Sequence, residues 1–489
     1  MQQLTRRAQE RKRGEPGRPA RPGRSPWVAL ALLASAQLML VLDVTVVNVA
    51  LPVIGPALHL QRSEVPWVMT IYTMFFGGLM LLGGRIADLF GARRLTLTGL
   101  AMFIASSLLC ALSQNAAMLL AGRSLQGLSA ALMSPAALAT VLTLFQGTGR
   151  GKALGLWSAL AGAGSALGVI LGGVLTSDAG WRWVFAINVP IGIALLIAIP
   201  LVMPARRQPG TAEPGIAQPG TAERGLDIPG AALVTVGTGA AIYALINAGS
   251  HGWAAASTVI PLLLAATAWA AFAIVERRVR RPLLTVGLLG QRAVLAGSFL
   301  MLAATGLLVG GFFVGSFALQ RAHHYSALGV GLAFLPVAVA TVAGAQTGSR
   351  VLARVNTRTV AVTGLVLAAA GYAIAAHWAQ PAAVVTGLAV AALGIGATFV
   401  TAFTASLTGA EPAVAGLRSA LVNTFHELGG AAGVAVLSSA TGAGLVAARL
   451  AGQAFSHAFT VGAVCAAVSM VIAAVLVPAV LRKPADPAG

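Results

Sequence analysis

Long apolar runs separated by short connections fill almost the whole chain after its first 26 residues. A run of about 20 apolar residues is long enough to cross the hydrocarbon core of a bilayer as a helix. Inside a bilayer the backbone must satisfy its own hydrogen bonds, and runs of this length do so as helices. Because 57% of the residues are hydrophobic and only 9% are charged, an ordinary soluble globular protein is excluded. The sequence predicts an all-α, multi-pass membrane protein.

Fourteen of these runs are predicted to be transmembrane helices. Their expected bounds are 27–51, 66–84, 95–113, 116–144, 153–176, 183–203, 228–247, 254–275, 293–319, 327–348, 359–377, 381–407, 418–447 and 455–480.

The longest connection divides the spans into sets of six, two and six. It carries the repeat Pro-Gly-Thr-Ala-Glu at 209–213 and 219–223 and has no apolar face, so it is predicted to be a disordered linker. Weak similarity between the two sets of six suggests an internal repeat of the kind that transporters use. The predicted division is a disordered basic tail (1–26), a six-helix bundle (27–203), the linker (204–227), two inserted helices (228–275), a second six-helix bundle (276–481) and a tail (482–489).

The net charge of +19 is spread over short connections rather than gathered in one patch, which argues against nucleic-acid binding. Basic residues concentrate on the side of the membrane that faces the cytoplasm. Both termini are therefore predicted to be cytoplasmic, in a protein of the cell's inner (cytoplasmic) membrane. The connections on that side carry Arg93, Arg94, Arg150, Lys152, Arg206, Arg207, Arg277, Arg278, Arg280, Arg281, Arg350, Arg354 and Arg358, and the other side carries only Arg62, Arg182, Arg321 and Arg449.

Polar side chains lie deep within the first apolar run, where Asp43 is followed by Thr45 and Asn48. An ionisable group in hydrocarbon costs several kcal/mol and normally faces a bundle interior or a water-filled path. Asp43 is therefore a candidate functional residue, and a helix–helix hydrogen bond is the alternative. At 1.5 Å per residue, Asp43 and Arg123 lie about 13 Å and about 12 Å from the same membrane face.

Further motifs occur in a fixed order along the chain. They are Gly84-Arg85-Ile86-Ala87-Asp88-Leu89-Phe90-Gly91-Ala92-Arg93-Arg94, Arg123-Ser124-Leu125-Gln126-Gly127, a glycine-rich stretch over 155–173, Trp181 to Pro190, and Gly416 to Thr424 with Gly429-Gly430. Together with the stretch Leu42 to Pro52, this set resembles the major facilitator superfamily, and within it the fourteen-helix drug:proton antiporters. The chain departs from the family pattern at Leu89 and Ala92, which are commonly basic, and at Val169, where helix five often has proline.

The resemblance implies two six-helix bundles plus two inserted helices, and it implies roles for individual residues. Asp43, Arg123 and Glu427 would couple protons, with Asp43 paired to Arg123, although a static buried ion pair is the alternative. Glu427 is either a second protonation site or, preferably, a gate residue touching the basic 85–94 loop. The substrate cavity would include Thr45, Asn48, Gln126, Asn423 and His426. The gate would be formed by Gly84, Asp88, Gly91, Arg93 and Arg94. Helix five would bend at Gly164, Gly168, Gly172 and Gly173.

The expected function is export of small amphiphilic compounds, such as antibiotics, in exchange for protons. No GxxxxGK[ST] motif occurs, so the proton gradient, rather than ATP or a cofactor, is the expected energy source. No metal site, nucleic-acid partner or enzymatic activity is expected; the partners are the substrate, protons and lipids, and the protein is expected to be a monomer. An importer, or an exporter dedicated to one endogenous product, is the alternative on the same fold, while a membrane-embedded enzyme or a sensor is disfavoured.

Overall fold

The computed structural model describes most of the apolar runs and few of the polar connections. The described residues are 26–61, 64–145, 153, 164, 167–168, 170–203, 228–278, 290–377, 380–407, 412–441 and 451–479. The two predicted tails and the predicted linker 204–227 thus lie outside them, apart from Pro26.

The described residues are organised as helices joined by short connections. In chain order they are α1 (Pro26–Ala57), α2 (Trp67–Phe90), α3 (Ala92–Ala111), α4 (Ala116–Leu144), α5 (Trp183–Ala186), α6 (Asn188–Val202), α7 (Ile228–His251), α8 (Ala256–Arg278), α9 (Arg292–Phe317), α10 (Ala327–Ala333), α11 (Leu335–Val351), α12 (Thr357–Ala375), α13 (Pro381–Leu407), α14 (Pro412–Ala440) and α15 (Ala451–Leu476), with π-helical turns π1 (Leu175–Ala179) and π2 (Ala318–Ala322).

Helical residues are found at every predicted span, although the span 153–176 is described only in part. Within the described ranges, 10 helices are long and apolar enough to cross a membrane. Three shorter apolar helical stretches are Trp67–Met80 within α2, Ile170–Ala179, and Ala232–Leu245 within α7. The all-helical, membrane-spanning fold is confirmed, while the total of fourteen spans stays a prediction.

Polar side chains and one glycine set several helix ends. The side chain of Asn115 accepts a hydrogen bond from the Met118 amide at the start of α4, and Asn356 does the same for Thr359 at the start of α12. Gly91 separates α2 from α3 with φ of 93°, a conformation that only glycine adopts readily. The predicted 85–94 loop is therefore wrong, because α2 continues to Phe90 and a single residue makes the turn.

Helices α1 to α6 pack into an earlier half, and α9 to α15 into a later half. The inserted helices α7 and α8 pack on each other, and α7 lies against both α2 of the earlier half and α14 of the later half. We call the membrane face at which α1 begins the near face, and the one at which α1 ends the far face. Apolar residues of both halves join in one cluster toward the far face, including Val49, Trp181, Phe317 and Val330.

Candidate functional site

A buried carboxylate lies where several helices of the earlier half meet. Asp43 of α1 is 1% exposed and forms an ion pair through Oδ2 with Nη1 of Arg123 on α4, which is 0% exposed. Asp43 Oδ1 accepts hydrogen bonds from Gln126 Nε2 at 3.0 Å and from Asn188 Nδ2 at 3.1 Å. A buried charge is tolerated when it is paired and hydrogen-bonded, and the Asp43 carboxylate is both. We call these four residues the Asp43 cluster.

The neighbours of Arg123 fix the position of its guanidinium. Nε donates to the backbone oxygen of Val68 on α2 at 2.9 Å, and Nη1 also donates to Gln126 Oε1 at 2.9 Å. The ring of Tyr72, one turn along α2 from Val68, lies 4.4 Å from Arg123 Cζ, within the range of a cation–π contact. Arg123 and Gln126 reach the same carboxylate because residues three apart share one face of a helix.

Sequence reasoning placed Gln126 in the substrate cavity and gave Asn188 no role. In the structure Gln126 is buried and bonded to Asp43, Arg123 and Ser107, whose hydroxyl accepts from Gln126 Nε2 at 2.8 Å. Asn188 begins α6 and stands within the motif Trp181 to Pro190. A polar residue at the start of a strongly apolar run was the available signal, but its partner lies 145 residues away in sequence.

A second acidic residue lies in the later half, against the earlier one. Glu427 of α14 packs on Gly77 of α2 so closely that a Cβ at Gly77 would lie 2.7 Å from Glu427 Cβ. Glu427 is about 22 Å along α14 from its first residue, Pro412, whereas the expected two to three turns were counted from Arg418. Gly77 precedes the 85–94 segment by two turns of α2, and the expected contact of Glu427 with that segment stays a prediction.

The polar environment of Glu427 is sparse. The adjacent His426 shares a hydrogen bond with Thr305, with 2.8 Å between Nδ1 and Oγ1, and its ring lies 5.9 Å from that of Phe399. Among the residues that the structure describes, nothing forms a hydrogen bond or ion pair with the Glu427 carboxylate. Asn423 stands one turn before Glu427 on α14.

Two other predicted cavity residues, Thr45 and Asn48, lie on α1. The Thr45 hydroxyl donates to the backbone oxygen of Val41 on its own helix at 3.0 Å. Asn48 is 3% exposed, and its Oδ1 finds no hydrogen-bond partner within the described part of the chain. A pocket in the later half is apolar, with Leu307, Phe312 and Tyr372 in its wall, and it contains none of the predicted cavity residues.

The predicted gate residues lie at the near face around the turn between α2 and α3. Gly84 faces Pro135 of α4, and Gly91 makes the turn itself. Arg94 is exposed, whereas Arg93 is half-buried and its Nε lacks a partner among the described residues. The side chain of Asp88 lies outside the described part, so its expected contact with the start of α14 stays a prediction.

Glycines of the fifth span pack against α1. A Cβ on Gly164 would lie 2.7 Å from Leu38 Cδ1, and one on Gly172 would lie 3.0 Å from Val46 Cα. Gly168 packs on Thr45, and Gly173 faces α10 of the later half instead. These contacts explain the glycines by close helix approach. Their predicted role in bending is not tested, because most of 154–169 lies outside the described residues.

Comparison with known proteins identifies a family and several relatives that resemble this chain. A family model described as Major Facilitator Superfamily matches residues 33–434. The puromycin resistance protein pur8 of Streptomyces alboniger is 38% identical over 444 residues, which cover 89% of this chain and 85% of that protein. The cephamycin export protein CmcT of Amycolatopsis lactamdurans is 35% identical over 425 residues, covering 85% of each chain. The crystal structure of an auto-inhibited POT family peptide transporter is similar in fold, with a TM-score of 0.65 at 15% identity over 94% of this chain and 98% of that one.

Proposed function

Because the chain belongs to the Major Facilitator Superfamily and is a multi-pass membrane transporter rather than an enzyme, we propose that it exports small amphiphilic compounds in exchange for protons. Relatives named for puromycin resistance and cephamycin export support compounds of the antibiotic class. Puromycin is therefore the first compound to test.

The Asp43 cluster is the observation that carries the proton step. The Asp43 carboxylate receives its counter-charge and its hydrogen bonds from three other positions of the earlier half. Protonation of Asp43 would remove the charge that holds Arg123, Gln126 and Asn188 and would loosen α1 from α4 and α6. Proton uptake and helix rearrangement are then one event, which is what exchange by alternating access requires.

Further parts of the proposal concern the arrangement in the membrane. We place fourteen spans as two bundles, 27–203 and 276–481, with the pair 228–275 inserted between them. Both termini face the cytoplasm in the inner membrane, and the monomer is the working unit. The proton gradient supplies the energy without a cofactor.

Glu427 has two possible roles in this scheme. As a second protonation site it would act in the later half while Asp43 acts in the earlier half. As a gate residue it would act through its close contact with Gly77, at which α14 and α2 of the two halves touch. The position of Glu427 on this seam favours the gate, and the proton stoichiometry of a Glu427 variant separates the two roles.

The test is drug transport with the proton gradient as the variable. In cells that lack other exporters, the protein should lower puromycin accumulation, and an uncoupler should abolish the difference. In inverted vesicles, Asp43→Asn should eliminate puromycin uptake driven by a pH gradient, while the exposed Asp178→Asn should transport normally. Uphill transport by Asp43→Asn would show that the Asp43–Arg123 pair is a static ion pair without a role in proton coupling. Accumulation that rises on expression would favour an importer, and transport confined to one endogenous compound would favour a dedicated exporter.

A further inference from the structure

The last turns of α1 contain two prolines that leave backbone oxygens without their usual donors. In an α-helix the amide of residue i donates to the carbonyl of residue i−4. Proline has no amide hydrogen, so Pro52 cannot donate to Asn48 and Pro56 cannot donate to Pro52. An oxygen in this position costs free energy in the membrane unless another group supplies a donor.

The later half supplies donors at this point. Nη2 of Arg321 donates to the Pro52 oxygen at 3.3 Å, the oxygen that Pro56 cannot serve. Beside it, Nε2 of Gln320 donates to the oxygen of Val49 at 2.9 Å and to the Ser316 hydroxyl at 2.9 Å. The C-terminal end of α1 is thus bonded directly to side chains of the other half.

Both donors belong to π2, the π-helical turn that continues α9. A π-helical turn is rare and is often found at functional sites, because it alters which way the following side chains point. Gln320 and Arg321 are consecutive in π2 and both reach α1. Helix α9 packs mainly on α13 and α14 and also contacts α1.

The surrounding contacts show that the two halves are closed on each other at the far face. The amide of Leu328 donates to the Ser177 hydroxyl at 3.0 Å, which joins α10 to π1. A Cβ on Gly173 would lie 2.9 Å from Leu328 Cα, so no side chain separates these backbones. Opening this face requires every contact between the halves here to break.

We propose that Arg321 is a gating residue that holds the far face closed by binding the carbonyl freed by Pro56, with Gln320 beside it. The proline supplies the acceptor, and the π-helical turn presents the donor. This assignment rests on the proposed alternating access. It adds that the far face opens only when the bond from Arg321 to Pro52 is broken.

The experiment measures closure directly, without transport. In the full chain with Cys110 and Cys465 replaced, Ala327→Cys places one thiol at the buried contact between α10 and Gly173. A membrane-impermeant maleimide is applied to the far face of sealed vesicles. Loss of one charge-assisted hydrogen bond should speed labelling by roughly tenfold in Arg321→Gln. Pro56→Ala should also speed it, because the new amide competes for the Pro52 oxygen.

A double variant shows whether Arg321 and Pro56 act through the same hydrogen bond. If both changes act on one bond, the Arg321→Gln, Pro56→Ala double variant should label no faster than Arg321→Gln alone, and Arg321→Lys should label at an intermediate rate. Arg182→Gln is the matched control, because Arg182 also donates to a backbone oxygen, that of Ser113 at 3.0 Å, but within the earlier half. Its labelling should match the parent.

Two results would overturn the assignment: labelling unchanged in Arg321→Gln, or effects of the two substitutions that multiply. Thermal unfolding of each purified variant excludes loss of the fold as the cause of faster labelling. A protein that fails to move puromycin but follows the labelling pattern would refute the proposed substrate and leave the gate intact. Proton-driven efflux of puromycin together with unchanged labelling would support the proposed transport function and refute the gating role of Arg321.

Discussion

Asp43 and Glu427 are both acidic side chains within the membrane-spanning part, and they differ in the residues that surround their carboxylates. Asp43 has an arginine and two amide donors drawn from α4 and α6. Glu427 packs by its Cβ against a glycine of α2, and no described residue bonds its carboxylate. The first carboxylate is built into the packing of one half, whereas the second lies on the seam between the halves. A place within the membrane-spanning part therefore does not define a role, and the partners of each carboxylate distinguish the two.

Removing the counter-charge of Asp43 should have the largest effect on stability. Arg123→Leu leaves a buried carboxylate uncompensated, and breaking a buried pair in this way costs about 3–5 kcal/mol. The measurement is thermal unfolding of the purified protein in detergent, together with its yield from membranes. Puromycin transport should be lost as well.

A neutral pair separates the structural part of this effect from the functional part. Asp43→Asn with Arg123→Gln removes both charges, so most of the lost stability should return. Transport driven by a pH gradient should stay absent, because no group titrates. A double variant that transports uphill would show that the pair has only a structural role.

The amide of Asn188 should contribute less than the arginine. Asn188→Ala removes one hydrogen bond to a charged acceptor, an interaction worth about 1.5–3 kcal/mol. The control is Asn247→Ala, since Asn247 Nδ2 donates at 2.9 Å to the neutral Tyr243 oxygen of its own helix, a bond worth about 0.5–1.5 kcal/mol. Unfolding temperatures should fall further for Asn188→Ala. Equal losses in the two variants would remove Asn188 from the Asp43 cluster.

The sequence was sufficient for the helical fold and for the pair of charges. Run length identified the membrane helices, and counting residues from each membrane face placed Asp43 and Arg123 at matching depth. It did not reveal Asn188 as a partner of Asp43, since that contact depends on how α6 is rotated against α1. Hydrophobicity is almost uniform around α6, so the sequence contains little information about its rotation.

The helix that carries Glu427 begins earlier than the span predicted from the sequence. The depth of Glu427 was counted from Arg418, taken as the start of the span, but α14 begins at Pro412. The exact end of a helix is hard to predict from sequence. An error of six residues in the start of a helix changes the counted position of a side chain by about 9 Å. The contact between Gly77 and Glu427 could not be predicted, because a close approach of two helices that are distant in sequence has no local sequence pattern.

The contact between Gly77 and Glu427 can be tested with neighbouring glycines. Gly77→Ala would place a methyl group 2.7 Å from Glu427 Cβ, and overpacking of this kind costs about 1–3 kcal/mol. Gly78→Ala is the matched control, because its nearest neighbours would lie at 3.8 Å, an ordinary contact, and alanine favours the helix. Thermal unfolding should therefore fall for Gly77→Ala and hold or rise for Gly78→Ala. If both variants fall equally, α2 and α14 are not in close contact here.

Neutralising Glu427 should have the smallest effect on stability. Glu427→Gln keeps the shape of the side chain and breaks no ion pair among the described residues, so the free energy of unfolding should change by less than about 1 kcal/mol. The bond between His426 and Thr305 is left in place. Comparison with Arg123→Leu measures how far its partners determine the cost of changing a charged side chain within the membrane-spanning part.

Its transport behaviour decides the role of the second carboxylate. A gate residue needs contact but no titration, so Glu427→Gln should retain the parent's number of protons exchanged per puromycin, with a changed turnover rate. A second protonation site should instead lose protons from that ratio, measured in vesicles by balancing an imposed drug gradient against a pH gradient. A loss of stability as large as that of Arg123→Leu would mean that Glu427 has a charged partner after all, and the contrast between the two carboxylates would fail.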